Sequence, residues 1–184
     1  MPRYAALLRA VNLPSHGKLA MADLRALLEE LGFADVQTVL QSGNAICSSP
    51  RGAKAVEQVI ERELLARFNV KTTVFVRSGA ELDELIAQNP FPREAVADPG
   101  HLVVVFLDAE PAAGAVDALR AAIRGPEVIQ AAGRHLYVTY PAGIGDSKLT
   151  ALLIERKLGV RGTGRNWNTV RKLNALTGGE AKRR

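Results

Sequence analysis

Apolar and polar positions follow two periods along the chain, and these periods alternate in a regular order. Short runs with alternating or continuous apolar residues predict strands, whereas apolar residues three or four positions apart predict helices. The predicted strands are residues 4–9, 36–40, 45–48, 72–76, 101–107, 128–131 and 135–140. The predicted helices begin at Met21 and at residues 54, 80, 112 and 148, and a last one begins near Asn166, which looks like an N-cap.

The order of these elements predicts an α+β fold made of two similar halves. Residues 1–78 read βαββαβ, the order of the ferredoxin-like split βαβ architecture, and a βαββα order recurs after residue 99. Residues 79–98 are predicted to form a connecting helix and a proline-rich seam, and residues 99–184 the second unit with a terminal helix and a basic tail. In the first unit, strands one and three are predicted to run parallel, which places Arg9 and Asn44 at opposite ends of the sheet.

Composition narrows the class of protein. The 184 residues are 47% hydrophobic and 23% charged, which is ordinary for a globular chain. No apolar run approaches the roughly 18 residues of a membrane span, so a membrane partner is not expected. The first residues enter a strand without the pattern of a secretion signal, and Cys47 is the single cysteine, so the expected location is the cytoplasm. Cys47 lies in an alternating apolar segment and is predicted to be a buried structural thiol.

Charge is distributed unevenly along the chain. Residues 1–146 hold 14 basic and 17 acidic side chains, a net charge of −3, whereas residues 147–184 hold 10 basic and 2 acidic side chains, a net charge of +8. Such asymmetry favours an anionic partner, either a phosphorylated small molecule or nucleic acid. The alternative interpretation is a solvated basic surface with a frayed tail.

Four strings of residues, in order, resemble one bacterial family. They are residues 6–12 (ALLRAVN), 41–44 (QSGN), 89–92 (NPFP), and the pair 143–149 (GIGDSKL) with 163–170 (TGRNWNTV). Together they span nearly the whole chain and resemble DUF family 1697, a domain of unknown function. The resemblance implies the tandem ferredoxin-like fold and implies no activity, so function has to be argued from the residues.

The best anion-binding candidate is the glycine-rich loop before the helix predicted at residue 148. Free N–H groups and a positive dipole end at a helix start attract anions, and Lys148 and Ser147 could add a charge and a hydroxyl. A second helix start carries Arg165, whose planar fork suits carboxylate or phosphate. The predicted ligand-binding residues are Gly145, Ser147, Lys148, Arg165, Asn166 and Asn168. The alternative is plain helix capping by Asp146 or Ser147, and Trp167 is predicted to be a core anchor rather than a stacking platform.

A second polar site is possible in the N-terminal half. It would use the end of the first strand and the hairpin turn, that is Arg9, Asn12, Gln41, Ser42 and Asn44. The alternative is a hairpin turn whose side chains bond to their own backbone.

Catalytic signals are few, and the sequence does not decide whether the chain is an enzyme. His16, His101 and His135 are dispersed without a paired carboxylate or cysteine, so neither a metal nor a cofactor is expected. Three functions remain open. They are a binding module for an anion, a small-molecule enzyme with a pocket at the seam between the halves, and a protein-interaction module. At 5% aromatic residues, with no Phe or Tyr in the third strand, the chain lacks the stacking platform of an RNA-recognition motif.

Overall fold

The computed structural model describes residues 1–10 and 19–178. Over these residues the fold is mixed α and β, with two four-stranded antiparallel sheets and seven helices. The chain divides into two compact units: unit 1 holds Met1–Glu84 and the residues from Lys172 onward, and unit 2 holds Leu85–Arg171. The division predicted from the sequence differs from these units in two respects. It places the connecting helix in a separate seam, residues 79–98, and it places the whole terminal helix in the second half.

Unit 1 contains one sheet with two helices against one of its faces. Its elements are β1 (Arg3–Leu8), α1 (Met21–Glu30), β2 (Ala34–Val39), β3 (Asn44–Ser48), α2 (Ala53–Phe68) and β4 (Val74–Ser78). The strand order is β2-β3-β1-β4, and each neighbouring pair is antiparallel. The prediction that strands one and three are parallel is therefore wrong, because β1 opposes β3 with Leu7 paired to Asn44. The helical crossover between β1 and β2 makes these two strands parallel, and the hairpin then reverses β3.

The core of unit 1 forms between the apolar stripes of α1 and α2 and one face of the sheet. Leu24, Leu28, Ile60 and Leu64 are fully buried there. Cys47 belongs to the same cluster, as the sequence predicted, and burial raises the pKa of its thiol to about 11. Its environment is that of a small apolar side chain without an activating base.

We expect Cys47 to resist thiol reagents in the folded protein. With a pKa of about 11, the fraction of Cys47 present as thiolate at pH 9 is smaller than that of an ordinary cysteine by a factor of roughly tens. Burial also blocks the approach of the reagent. The rate of reaction with a disulfide reagent should rise steeply once urea unfolds the chain. Rapid labelling of native protein would contradict this environment.

Two helices follow β4, namely α3 (Gly79–Ala87) and α4 (Pro92–Ala97). The sequence predicted the first of these but expected only extended backbone around Pro92. Pro92 instead stands at the first position of α4, where a missing N–H and a fixed φ are tolerated. At the start of α3, a Cβ on Gly79 would lie 2.8 Å from the carbonyl oxygen of Thr177, so glycine is needed for this close approach.

Unit 2 repeats the arrangement of unit 1. Its elements are β5 (Leu102–Leu107), α5 (Ala115–Ala122), β6 (Val128–Ala132), β7 (His135–Thr139), α6 (Ala151–Leu158) and β8 (Gly162–Asn166). The last helix, α7 (Trp167–Thr177), begins in unit 2, and its residues from Lys172 onward belong to unit 1. The strand order is β6-β7-β5-β8, again with antiparallel neighbours. The sequence predicted all of these elements except β8, and the second half is therefore βαββαβ followed by a helix. Glycine is unfavourable in a strand, but a Cβ at position 162 of β8 would lie 2.7 Å from the Val105 side chain. This close contact explains why the position is a glycine.

The last strand of each unit pairs with the first in the same register. Val74–Ser78 oppose residues 8 to 4 of β1, and Gly162–Asn166 oppose residues 107 to 103 of β5. The fourth position of each last strand is a buried arginine, Arg77 or Arg165. Each donates from Nη1 to the carbonyl oxygen of the residue before it, at 3.0 Å and 2.9 Å respectively.

Glutamates on the helices bond to the outer edges of β4 and β8. Glu61 and Glu57 accept hydrogen bonds from the amides of Val74 and Val76, at 2.8 Å and 3.0 Å. In unit 2 Glu155 accepts from the amide of Gly162 at 3.0 Å. These bonds satisfy backbone donors that would otherwise offer an open edge to another strand.

Candidate functional site

The predicted glycine-rich loop lies between β7 and α6, but it does not open the helix. Helix α6 begins at Ala151, and the side chain of Thr150 accepts the capping bond from the amide of Leu153. The prediction of a helix from residue 148 is therefore wrong, and so is the alternative of capping by Asp146 or Ser147. Because Thr150 supplies the cap, Ser147 and Lys148 lie in the loop before it and are not part of the helix start.

Buried contacts hold this loop in place. Leu149 is buried, and its carbonyl oxygen accepts a hydrogen bond from the Tyr140 hydroxyl at 3.1 Å. Burial, with a smaller contribution from Glu127, raises the pKa of Tyr140 to about 12, so the hydroxyl remains a donor at neutral pH. Gly143 has a φ of 89°, which lets the chain turn directly after β7.

Lys148 lines a small hollow of ≈ 150 Å³. The other lining residues are Arg124, Gly125, Pro126, Glu127, Ala142, Gly143, Asp146 and Ser147. Neither Lys148 nor Arg124 forms a hydrogen bond or ion pair with any residue that the structure describes. However, the carboxylates of Glu127 and Asp146 line the same space, and the Ser147 hydroxyl bonds to Glu127. The formal charges of the hollow therefore balance.

Arg165 does not join Lys148 in this hollow. Its guanidinium is buried in unit 2, where Nη1 also donates to the Thr163 hydroxyl at 2.8 Å. Burial lowers the pKa of Arg165 to about 10, because the charged form loses solvation. The structure thus keeps apart the two cations that the sequence grouped as one anion site.

The remaining residues of the predicted site lie at the start of α7. Asn166 accepts a hydrogen bond from the amide of Thr169 at 3.0 Å, which confirms its predicted role as a cap. Asn168 is exposed on the first turn. Trp167 is 4% exposed, so it is a buried anchor, as predicted, rather than a stacking surface.

The second predicted site is more compact than the sequence indicated. Because β1 and β3 are antiparallel, the end of β1 lies beside the hairpin turn, and the amide of Leu8 donates to the carbonyl oxygen of Gly43 at 2.8 Å. Arg9 and the turn residues Gln41, Ser42 and Asn44 therefore share one end of the sheet. Asn12 lies outside the described residues.

Asn44 has a structural role in this turn. Its side chain is fully buried, and its Nδ2 donates to the carbonyl oxygen of Val39 at 3.0 Å and to the Ser42 hydroxyl at 2.8 Å. These bonds close the hairpin from within. The alternative interpretation, a turn bonded to its own backbone, is confirmed for Asn44.

One histidine contradicts the prediction that none pairs with a carboxylate. His101 Nδ1 lies 2.9 Å from Asp98 Oδ2, and both side chains are about half exposed. Over residues 1–10 and 19–178, no group of three or more histidine, cysteine or acidic side chains is placed to hold a metal ion. No described helix is long and apolar enough to cross a membrane.

A depression of ≈ 530 Å³ in unit 2 was not anticipated from the sequence. Its lining residues are Asp108, Ala109, Leu152, Glu155, Arg156, Gly159, Val160 and Arg161. We call it the α6 depression. Residues 152, 155, 156 and 159 are three or four positions apart and so share one side of α6. Gly159, with a φ of 70°, ends the helix and turns the next two residues toward the same side.

Most charges of the α6 depression are already engaged. Asp108 accepts from both the amide and Nε of Arg161, at 3.0 Å and 2.9 Å. Glu155 accepts from the Gly162 amide. Arg156 is exposed and bonds to no residue that the structure describes. The two acidic and two basic side chains of the lining balance in formal charge, and Arg156 is the cation among them without a described partner.

The sequence offered only a partial signal for this site. Leu152 is one of the apolar residues whose spacing predicts this helix, yet it is 72% exposed. The shifted start of α6 explains the difference, since Ile154 and Leu158 occupy the core instead. The arginines at 156 and 161 belong to the basic segment, but no pattern showed that they share a hollow.

Comparison with known proteins gives a fold and a family. No curated protein matches the chain. One similar solved structure is that of the conserved bacterial protein SP0830 from Streptococcus pneumoniae, with a TM-score of 0.75 and 20% sequence identity over 96% of this chain and 98% of that one. At this identity the likeness shows the fold alone. The model of a protein family of unknown function, DUF1697, matches residues 1–137, and the chain belongs to that family.

Proposed function

We propose that this protein binds a small anionic ligand in the α6 depression of unit 2. The observation that carries the proposal is Arg156, an exposed guanidinium without a described partner on the wall of a ≈ 530 Å³ space. This volume is within the range of about 300–1,000 Å³ typical of small-molecule sites. Arg156 and Arg161 both belong to the basic segment of residues 147–184 from which the sequence predicts anion binding.

Charge favours Arg156 over Lys148 as the anchor. In the α6 depression both carboxylates are held by hydrogen bonds from amides or from Arg161, which reduces their repulsion of an anion. In the hollow of Lys148, Asp146 has no such bond to any described residue. The loop with Gly145, Ser147 and Lys148 remains a second candidate, because Lys148 and Arg124 also lack described partners.

A phosphorylated small molecule fits this proposal better than nucleic acid. Sheet residues facing away from α1 and α2, such as Leu7, Ile46 and Phe75, are fully buried, and so are Val104 and Phe106 in unit 2. Stacking of bases on a sheet requires exposed aromatic side chains there. Nucleic acid would have to bind through charge alone, with an affinity that falls steeply with salt.

The proposal includes a finer description of the fold and its setting. The element order and the strand orders β2-β3-β1-β4 and β6-β7-β5-β8 support assigning the ferredoxin-like architecture to both units. The single cysteine supports a reducing, cytoplasmic setting. No reaction is assigned, because the lining of the α6 depression includes no serine, threonine, cysteine, lysine or histidine, and its two carboxylates are engaged in hydrogen bonds.

Arg156→Gln is expected to weaken the binding of inorganic phosphate roughly tenfold or more, because a charge-assisted hydrogen bond contributes about 1.5–3 kcal/mol. The measurement is a titration followed by amide NMR signals, with shifts expected at Gly159 and Val160. Lys157→Gln is the matched control, since it removes the same charge from the same exposed helical turn without lining the depression.

The locus of the shifts separates the two candidate sites. Shifts confined to Gly143 and Gly145, lost in Lys148→Ala, would move the site to the loop after β7. Equal weakening by Arg156→Gln and Lys157→Gln would reduce the effect to general charge attraction. A titration without shifts in either region would refute small-anion binding by unit 2.

A further inference from the structure

We infer that the ligand of the α6 depression is an amphipathic molecule with a single anionic head, that is, one phosphate or carboxylate group attached to an alkyl or aryl body. This inference rests on the proposed function and specifies its ligand class. A ligand without an apolar part would interact only with the guanidinium of Arg156. The depression also offers an apolar surface, and the two features lie side by side.

The apolar part of the surface is formed by Leu152, Val160 and Ala109. Leu152 is 72% exposed, although it could have been a polar residue at no cost to the core, which uses Ile154 and Leu158. An exposed leucine alone is common, but here it borders a hollow together with other apolar residues. Covering it with a ligand would remove apolar surface from water.

Helical geometry sets the distance between the two parts. Leu152 and Arg156 are four positions apart on α6, so their side chains are neighbours on one side of the helix. The pair of Asp108 and Arg161 also lines the depression, and its two charges compensate each other. A ligand can therefore place its head at Arg156 and its body over Leu152 and Val160 without burying an unpaired charge of the protein.

The net charge of the lining limits the head to a single site. After the pairing of Asp108 with Arg161, one cation and one amide-bonded carboxylate remain, Arg156 and Glu155. Further negative charges along the ligand would meet Glu155 and Asp108 without a second unpaired cation. A polyanion such as a nucleotide triphosphate is thus disfavoured relative to a monoester or a carboxylate.

The test uses the full-length chain and four probes: hexyl phosphate, hexanoate, inorganic phosphate and hexanol, each titrated by calorimetry and NMR. Hexyl phosphate should bind at least about tenfold more tightly than inorganic phosphate, since burying even two methylene groups contributes that much. Comparison with hexanoate shows whether the head is phosphate or carboxylate. Hexanol should bind weakest, because it lacks the charge.

Two variants assign the effect to the two parts of the surface. Leu152→Ser should reduce the affinity for hexyl phosphate toward that for phosphate and leave phosphate itself unchanged. Val96→Ser, which removes another exposed apolar side chain of unit 2, is the control and should change neither. Both positions are exposed, so neither change should prevent folding.

The outcomes separate this inference from the proposed function. If hexyl phosphate and phosphate bind equally and both depend on Arg156, anion binding stands and the amphipathic class is overturned. If hexanol binds as tightly as hexyl phosphate, or if Leu152→Ser has no effect, the inference is also overturned. If none of the four probes binds, both proposals are overturned.

Discussion

Arg77→Ala is expected to lower the free energy of unfolding by roughly 3–5 kcal/mol, the largest effect we predict for a single substitution. Arg77 is the largest of the fully buried side chains, and its Nη1 donates to the Val76 carbonyl oxygen at 3.0 Å. Truncation leaves a cavity in a closely packed interior and removes a buried donor from that carbonyl. Urea unfolding followed by circular dichroism measures the change.

Two further variants separate volume from charge at this position. Arg77→Met keeps most of the volume and removes the charge, so it should cost less than Arg77→Ala, since apolar replacement of a buried charged group is often tolerated. Arg62→Ala, on the exposed side of α2, is the control and should have little effect. A marginal loss in Arg77→Ala would mean that the arginine is not an integral part of the interior.

Asn44→Asp is expected to destabilise the protein by roughly 3 kcal/mol at pH 7, although the two side chains have the same shape. Asn44 is fully buried, and its Nδ2 donates to the Val39 carbonyl oxygen. In the variant, a carboxylate oxygen would face the Val39 carbonyl oxygen, so two acceptors would meet without a donor, and a charge would be placed in the interior. Gln41→Glu makes the equivalent change at the exposed start of the same turn and should have little effect.

The loss in Asn44→Asp should depend on pH in a defined direction. Burial raises the pKa of the introduced carboxyl in the folded state above its unfolded value of about 3.9, because the charged form is disfavoured. The folded protein therefore holds the proton more tightly, and the variant loses stability as pH rises from about 4 toward the folded pKa. Unfolding at pH 4 should thus show a smaller difference from wild type than at pH 7. An equal loss at both pH values would contradict burial of the side chain.

The similarity between the two halves of the sequence also predicts the last strand of unit 2, β8. In each unit, the fourth residue of the last strand is an arginine, and the fifth residue caps the helix that follows. These residues are Arg77 and Ser78 in unit 1, and Arg165 and Asn166 in unit 2. Matching these two strings predicts β8 in spite of its glycines. Strand propensity alone misses it, because Gly162 and Gly164 are explained by close packing against Val105 and Val103 rather than by strand propensity.

The antiparallel pairing of β1 with β3 follows from the order of connections rather than from any residue. Once the crossover and the hairpin are predicted, the direction of each strand is set, and with it the position of Arg9 beside the turn at Asn44. The error in the sequence-based prediction was therefore one of topology. Its consequence is that two neighbouring groups of polar residues are predicted to be distant.

The sequence by itself determined the family, the α+β class, most helices and strands, the burial of Cys47 and Trp167, and the cap at Asn166. These properties depend on local periodicity and on contacts between near neighbours, which a linear pattern records. Only the tertiary structure decided that Arg165 is buried apart from Lys148, that Thr150 caps α6, and that Leu152 and Arg156 share an exposed depression. Such relations depend on which surfaces meet across the fold, and residues distant in sequence leave no periodic trace of their meeting.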